Sequence, residues 1–79
     1  MGRIDEAIKD YRQALILNPN AAEIHNNLGV ALDRLEKKEE AHKHYSEALR
    51  LRPNWGYSIF NLALNNLNRG KRNAALSQM

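Results

Sequence analysis

The stretch "EAIKDYRQALILNPN" at residues 6–20 returns, little changed, as "EAHKHYSEALRLRPN" at residues 40–54, 34 positions later. The same offset relates Ala7, Ala41 and Ala75, then Tyr11 and Tyr45, Ala14 and Ala48, Leu15 and Leu49, Leu17 and Leu51, Pro19 and Pro53, and Asn20 and Asn54. A second set obeys it too: Asn27 and Asn61, Leu28 and Leu62, and the small pair Gly29 and Ala63. Self-similarity at a period of this length marks a stacked array, in which no unit buries its apolar face alone.

Each unit reads as two helices. In "AAEIHNNLGVALDRLEKK" the residues Ile24, Leu28, Ala31, Leu32 and Leu35 recur at helical spacing and form one stripe. Ala41, Tyr45, Ala48 and Leu49 do the same in the segment that follows. Glu39 and Glu40 stand near the start of that second helix and Arg50 and Arg52 near its end, where each sign suits the helix dipole. Pro53 disfavours helical backbone at Arg52 and ends the run. The two stripes predict an antiparallel hairpin. Gly29, costly inside a helix by about 1 kcal/mol, predicts a close approach of the hairpin's two backbones, and Ala63 keeps the mate position small.

With "NNLGVAL" as a first helix, "EEAHKHYSEALRLRPN" as a second and Pro-Asn closing the unit, the chain resembles the tetratricopeptide repeat family. The resemblance implies an all-α fold, a right-handed α-solenoid of antiparallel helix hairpins. One domain spans 1–79, holding about 2.3 repeats. Residues 2–20 form a half repeat (a helix B), 22–54 a full repeat, and 56–79 a partial one with a shortened helix B. Five helices are expected, in the order B-A-B-A-B. Ile4, Ile8 and Tyr11 then lack a covering helix A. Either the chain is a piece of a longer array or its exposed repeat ends self-associate, by head-to-tail stacking or exchange of a helix.

Composition removes several function classes. There is no Cys, hence no disulfide and no thiolate metal site. The longest apolar run, "ALIL", is far short of a membrane span, and the charged start "MGRIDEAIKDYR" lacks a secretory pattern, so no membrane association and a soluble, cytoplasmic protein are expected. Net charge is +3, but residues 1–47 carry seven basic and nine acidic side chains, whereas 48–79 carry five basic and no acidic ones. Such a half is either a solvated surface or attractive to acidic partners. Trp55, Tyr57 and Phe60 beside it prompt a nucleic-acid reading, the weakest of those considered. Trp55, just after Pro53-Asn54, is expected as a packing wedge between hairpins.

No catalytic set, metal site or cofactor motif is legible, so an enzyme is not expected. His42 and His44 are two apart and point to different helix faces, while His25 on the neighbouring helix is within reach of one of them. Binding is the expected activity, with a protein or peptide as ligand. At about 100° per residue, the face of helix 22–35 opposite the core stripe carries Glu23, Asn26, Val30, Asp33 and Arg34, with Asn27 on its shoulder. The resemblance implies that Asn27 and its mate Asn61 contact a peptide backbone in a concave groove. Asn61 and Tyr57 stand where co-chaperone members of the family need basic residues, so a carboxylate clamp is not expected.

The third unit departs from the pattern. Asn65, Asn66 and Arg69 occupy the core positions of Ala31, Leu32 and Leu35, whereas Tyr57, Phe60, Leu64 and Leu67 form an apolar seam on the groove side. The simplest expectation is that this helix rotates and buries the seam internally. The alternative is that a partner helix or a second copy covers it.

Overall fold

A computed structural model describes the backbone over residues 2–77 and the side chains over 2–71. The described residues form four helices and no strand: α1 (Gly2–Leu17), α2 (Ala22–Arg34), α3 (Lys38–Leu51) and α4 (Gly56–Ser77). Each packs on its neighbour in sequence, and α4 also reaches back to α2. The result is the expected all-helical solenoid of stacked hairpins.

The joints follow from local chemistry. After α1 and α3, Pro19 and Pro53 stand at the same place in the repeat and block continuation. Arg52 N–H still reaches Ala48 O at 2.8 Å, and Trp55 N–H turns back to Arg52 O at 3.2 Å, opening α4. Between α2 and α3 no proline intervenes. Glu36 adopts a left-handed conformation (φ 62°) instead. Its N–H bonds Asp33 O at 3.0 Å and the N–H of Lys37 bonds Leu32 O at 2.9 Å, satisfying carbonyls that the last turn leaves open.

The core is small: Leu28 and Leu32 of α2 with Ala41 and Tyr45 of α3, flanked by Ile8, Tyr11 and Leu15 of α1 and Leu62 of α4. Gly29 is what lets the hairpin close, but a side chain fills the space and not the facing backbone. A Cβ on Gly29 would stand 2.6 Å from Tyr45 Cε1 and 2.8 Å from Cδ1.

Two expectations for the third unit fail. No separate fifth helix appears among the described residues, because α4 runs unbroken from Gly56 to Ser77. In the repeat register Gly70 is the mate of Glu36, yet it has no positive φ, and the turn is not made. The residues of α2 that hold a returning helix are Leu28, Gly29 and Leu32, and their mates are Leu62, Ala63 and Asn66. Of these only Leu62 is large and apolar, and it already packs on the existing core. Nothing draws a fifth helix back. Nor does α4 rotate to bury its seam: Tyr57 is 73% exposed, Phe60 66%, Leu64 46% and Leu67 55%.

Replacing Gly29 with Ala gains about 1 kcal/mol of helix propensity but forces the buried Tyr45 ring to move, and overpacking of this kind costs about 1–3 kcal/mol. A lower urea midpoint is expected; a higher one would contradict the close fit. Glu36→Gly should act oppositely, raising stability by about 0.5–1 kcal/mol, because left-handed backbone strains a side-chain-bearing residue.

Candidate protein-binding surface

The inward face of α4 is polar, and that decides what points outward. Asn26 Oδ1 accepts from Ser58 Oγ at 2.9 Å and from Asn61 Nδ2 at 3.1 Å. About one turn beyond Asn61, Asn65 Nδ2 donates to Asp33 Oδ1 at 2.9 Å and to Lys38 O at 3.1 Å. Asp33 Oδ2 accepts from Tyr45 Oη at 2.8 Å, and Lys38 Nζ lies 3.4 Å from Asp33 Oδ1. Burial first, then this bond to Asp33, holds the Tyr45 phenol far above its ordinary pKa, so it remains a donor. Ser58, Asn65 and Asn26 are all buried. Buried amides and hydroxyls without partners cost stability, so these pairings fix the rotation of α4.

Of the residues expected in a groove, Asn26 and Asp33 are therefore engaged between helices, and Asn61 is shared between that seam and the surface. Glu23, Asn27, Val30 and Arg34 remain on the accessible side of α2, with Val30 and Asn61 half-buried. Tyr57, Phe60 and Leu64 stand exposed on α4. Glu23, Asn27 and Val30 are the repeat mates of Tyr57, Asn61 and Leu64, so the two first helices present matching rows.

A cleft of about 300 Å³ opens between α1 and α2. Asn27, Val30 and Arg34 line one wall, Ile4, Ala7 and Tyr11 the other. Sequence reasoning identified the first wall as a groove but did not assign the second to the same site. The signal was the pairless stripe of α1. Near the other end, Trp55 meets Tyr57 edge-on with centroids 6.5 Å apart, and the Arg52 guanidinium lies 4.3 Å over the Trp55 ring. Trp55 is half-buried at the joint between α3 and α4.

The histidines pair across the hairpin. His25 Nε2 lies 2.8 Å from Pro19 O, which can only accept, so that nitrogen carries the proton and His25 Nδ1 is an acceptor. His44 Nδ1, at 3.1 Å, is then the donor to it. Among the described residues no three His, Asp or Glu side chains cluster to hold a metal ion, and no helix is long and apolar enough to cross a membrane.

A model described as TPR repeat matches residues 1–36, and one described as tetratricopeptide repeat matches 22–55. The chain belongs to the tetratricopeptide repeat family. As a tetratricopeptide chain it is 36% identical over 66 residues to the peroxisomal targeting signal receptor of Saccharomyces cerevisiae, 84% of this chain and 11% of that one. The receptor of the same name from Kluyveromyces lactis is 37% identical over 65 residues, 82% of this chain and 12% of its own length. The tetratricopeptide chain thus spans only about a ninth of these relatives.

In this tetratricopeptide hairpin the histidines also set a pH dependence. Burial first, then the nearness of the His25 ring and the Arg12 guanidinium, lowers the pKa of His44, against the opposing pull of Glu40 and Glu47. Burial and Arg69 lower that of His42, against Glu39. Both groups bind a proton less readily folded than unfolded. Their contribution is complete above the ordinary value of 6.5 and is lost as pH falls through it toward the folded values. The urea midpoint should drop from pH 7.5 to 5.5, and the drop should shrink in a His42→Gln, His44→Asn double variant; equal pH dependence in both proteins would refute the assignment.

Proposed function

We propose that this segment is a protein-interaction module that takes a peptide or a helix along the accessible rows of α2 and α4. The observation that carries the reading is the orientation of α4, with Ser58 and Asn65 inside and Phe60, Leu64 and Leu67 in solvent. Solvent-facing apolar side chains at spacings of three and four suit an apolar helix face or the side chains of an extended segment. Asn27, exposed at the rim of the α1–α2 cleft, offers both donor and acceptor groups to a peptide backbone. Relatives named as receptors of a targeting signal support binding, not catalysis, as the work of this region. A nucleic-acid role draws less support, since Arg52 already lies over the Trp55 ring on which a base would stack.

Panning a random peptide display library against the chain tests this. Enriched peptides should lose about tenfold in affinity to Asn27→Ala, the loss of one net hydrogen bond of about 1.4 kcal/mol, and at least as much to Leu64→Ser. Lys43→Ala, on the outer face of α3, should bind unchanged. Peptides that bind the Asn27 and Leu64 variants as well as the parent, or no enrichment at all, would overturn the reading.

A further inference from the structure

His25 of α2 and His44 of α3 face one another inside the hairpin, away from the groove residues. Their Nδ1 atoms are 3.1 Å apart, their ring centroids 5.4 Å, and their planes differ by 25°. Rings so nearly coplanar, with centroids so much further apart than the nitrogens, aim those nitrogens at each other head-on. Pro19 O takes the proton of His25 Nε2 at 2.8 Å, so His25 Nδ1 is bare and fixed in direction. One proton, that of His44 Nδ1, occupies the line between the rings. A ring anchored through one nitrogen to a backbone carbonyl, with the other nitrogen presented, is how histidine is held when it ligates a metal.

We propose that this pair binds a monovalent two-coordinate metal ion, Cu(I), in place of the shared proton. The donor set selects the ion. Two nitrogens in line satisfy a closed-shell monovalent ion, whereas Zn(II) takes four donors at tetrahedral angles. No third His, Asp or Glu among the described residues joins the pair. The sequence has no Cys, so no thiolate competes for such an ion.

Protons balance without release: as the ion takes His44 Nδ1, the proton it displaces is carried at His44 Nε2, and both rings stay neutral. At metal–nitrogen distances of about 2.0–2.1 Å the ion needs the two nitrogens about 4 Å apart, so one ring withdraws by about 1 Å. His25 is buried and tied to Pro19, so the half-buried His44 is the ring that moves. Arg12 of α1 pairs with Glu40 at 3.2 Å, and Arg50 pairs with Glu47. These charges around the imidazoles cancel, and the ion meets no net repulsion. The proposal is independent of the peptide-binding reading, and its test needs no peptide.

Silver(I), the redox-stable ion of the same class, is the probe. Silver nitrate titrated into the nitrogen-15-labelled chain in chloride-free buffer at pH 7.5 should move the Nδ1 signals of His25 and His44 together. The change should be complete at one equivalent, with the His42 signals unmoved. Zinc(II) under the same conditions should bind the pair more weakly than silver(I). His44→Phe, which keeps a ring at that position, should weaken uptake by at least about tenfold, with circular dichroism checking that it stays helical. Should that variant lose helicity, the spectra of the parent chain decide the matter alone. No uptake would leave the pair a plain hydrogen bond across the hairpin and overturn the proposal. So would silver uptake that leaves the His25 and His44 signals in place, tighter binding of zinc(II), or undiminished uptake by a helical His44→Phe chain.

Discussion

The Tyr45 side chain is the constraint on which the rest of this structure depends. Its ring lies where a Cβ of Gly29 would be, and its hydroxyl donates to Asp33. Asp33 in turn accepts from Asn65 and faces the Lys38 ammonium. Three helices meet at one carboxylate. Removing the Asp33 carboxylate would take the acceptor from Tyr45 on α3 and Asn65 on α4 at once, a loss that falls on more than one interface. The apolar part of the core, Leu28, Leu32 and Ala41, is too small to set helix rotation with such precision on its own.

The same knot accounts for the surface. An amphipathic helix normally turns its apolar stripe inward, yet α4 docks through Ser58, Asn61, Leu62 and Asn65 and leaves five large apolar residues in water. The exchange is stable because Asn26 and Asp33 on α2 are partners of matching polarity, and Tyr45 and Lys38 of α3 hold Asp33 in place. The apolar row on α4 is the counterpart of a polar inner face. Among the described residues α4 continues where a second helix was expected for a related reason: the positions that would hold that helix carry Ala63 and Asn66 in place of a Gly that admits a tyrosine ring and a Leu.

Much of this was legible in the chain and some was not, for identifiable reasons. The hairpin 22–51, its Pro-bounded joints and the half-buried stripe of α1 all follow from spacing and from backbone chemistry local to a few residues. The role of Gly29 was legible as a close approach, but not as a fit to Tyr45, since the partner lies 16 positions away and is chosen by packing. Asn26 and Asp33 read as groove residues because a helix projection shows only one helix. Their partners sit 32 to 35 positions downstream on a neighbour whose rotation no periodicity reveals. Equally, the repeat register predicts a shortened helix B within 56–79, but Gly70, the mate of Glu36, permits left-handed closure without requiring it.

By itself, then, the order of residues determined the helical class, the 34-residue period, the family and the stops of α1 and α3 before their prolines, because these depend on local backbone preference and on stripes carried by single helices. Only the tertiary structure decided which side of α4 faces water, which asparagines are spent between helices and where an open cleft lies. Those outcomes rest on pairs of polar groups from different helices, and the value of each group is set by whether its partner arrives within hydrogen-bonding distance.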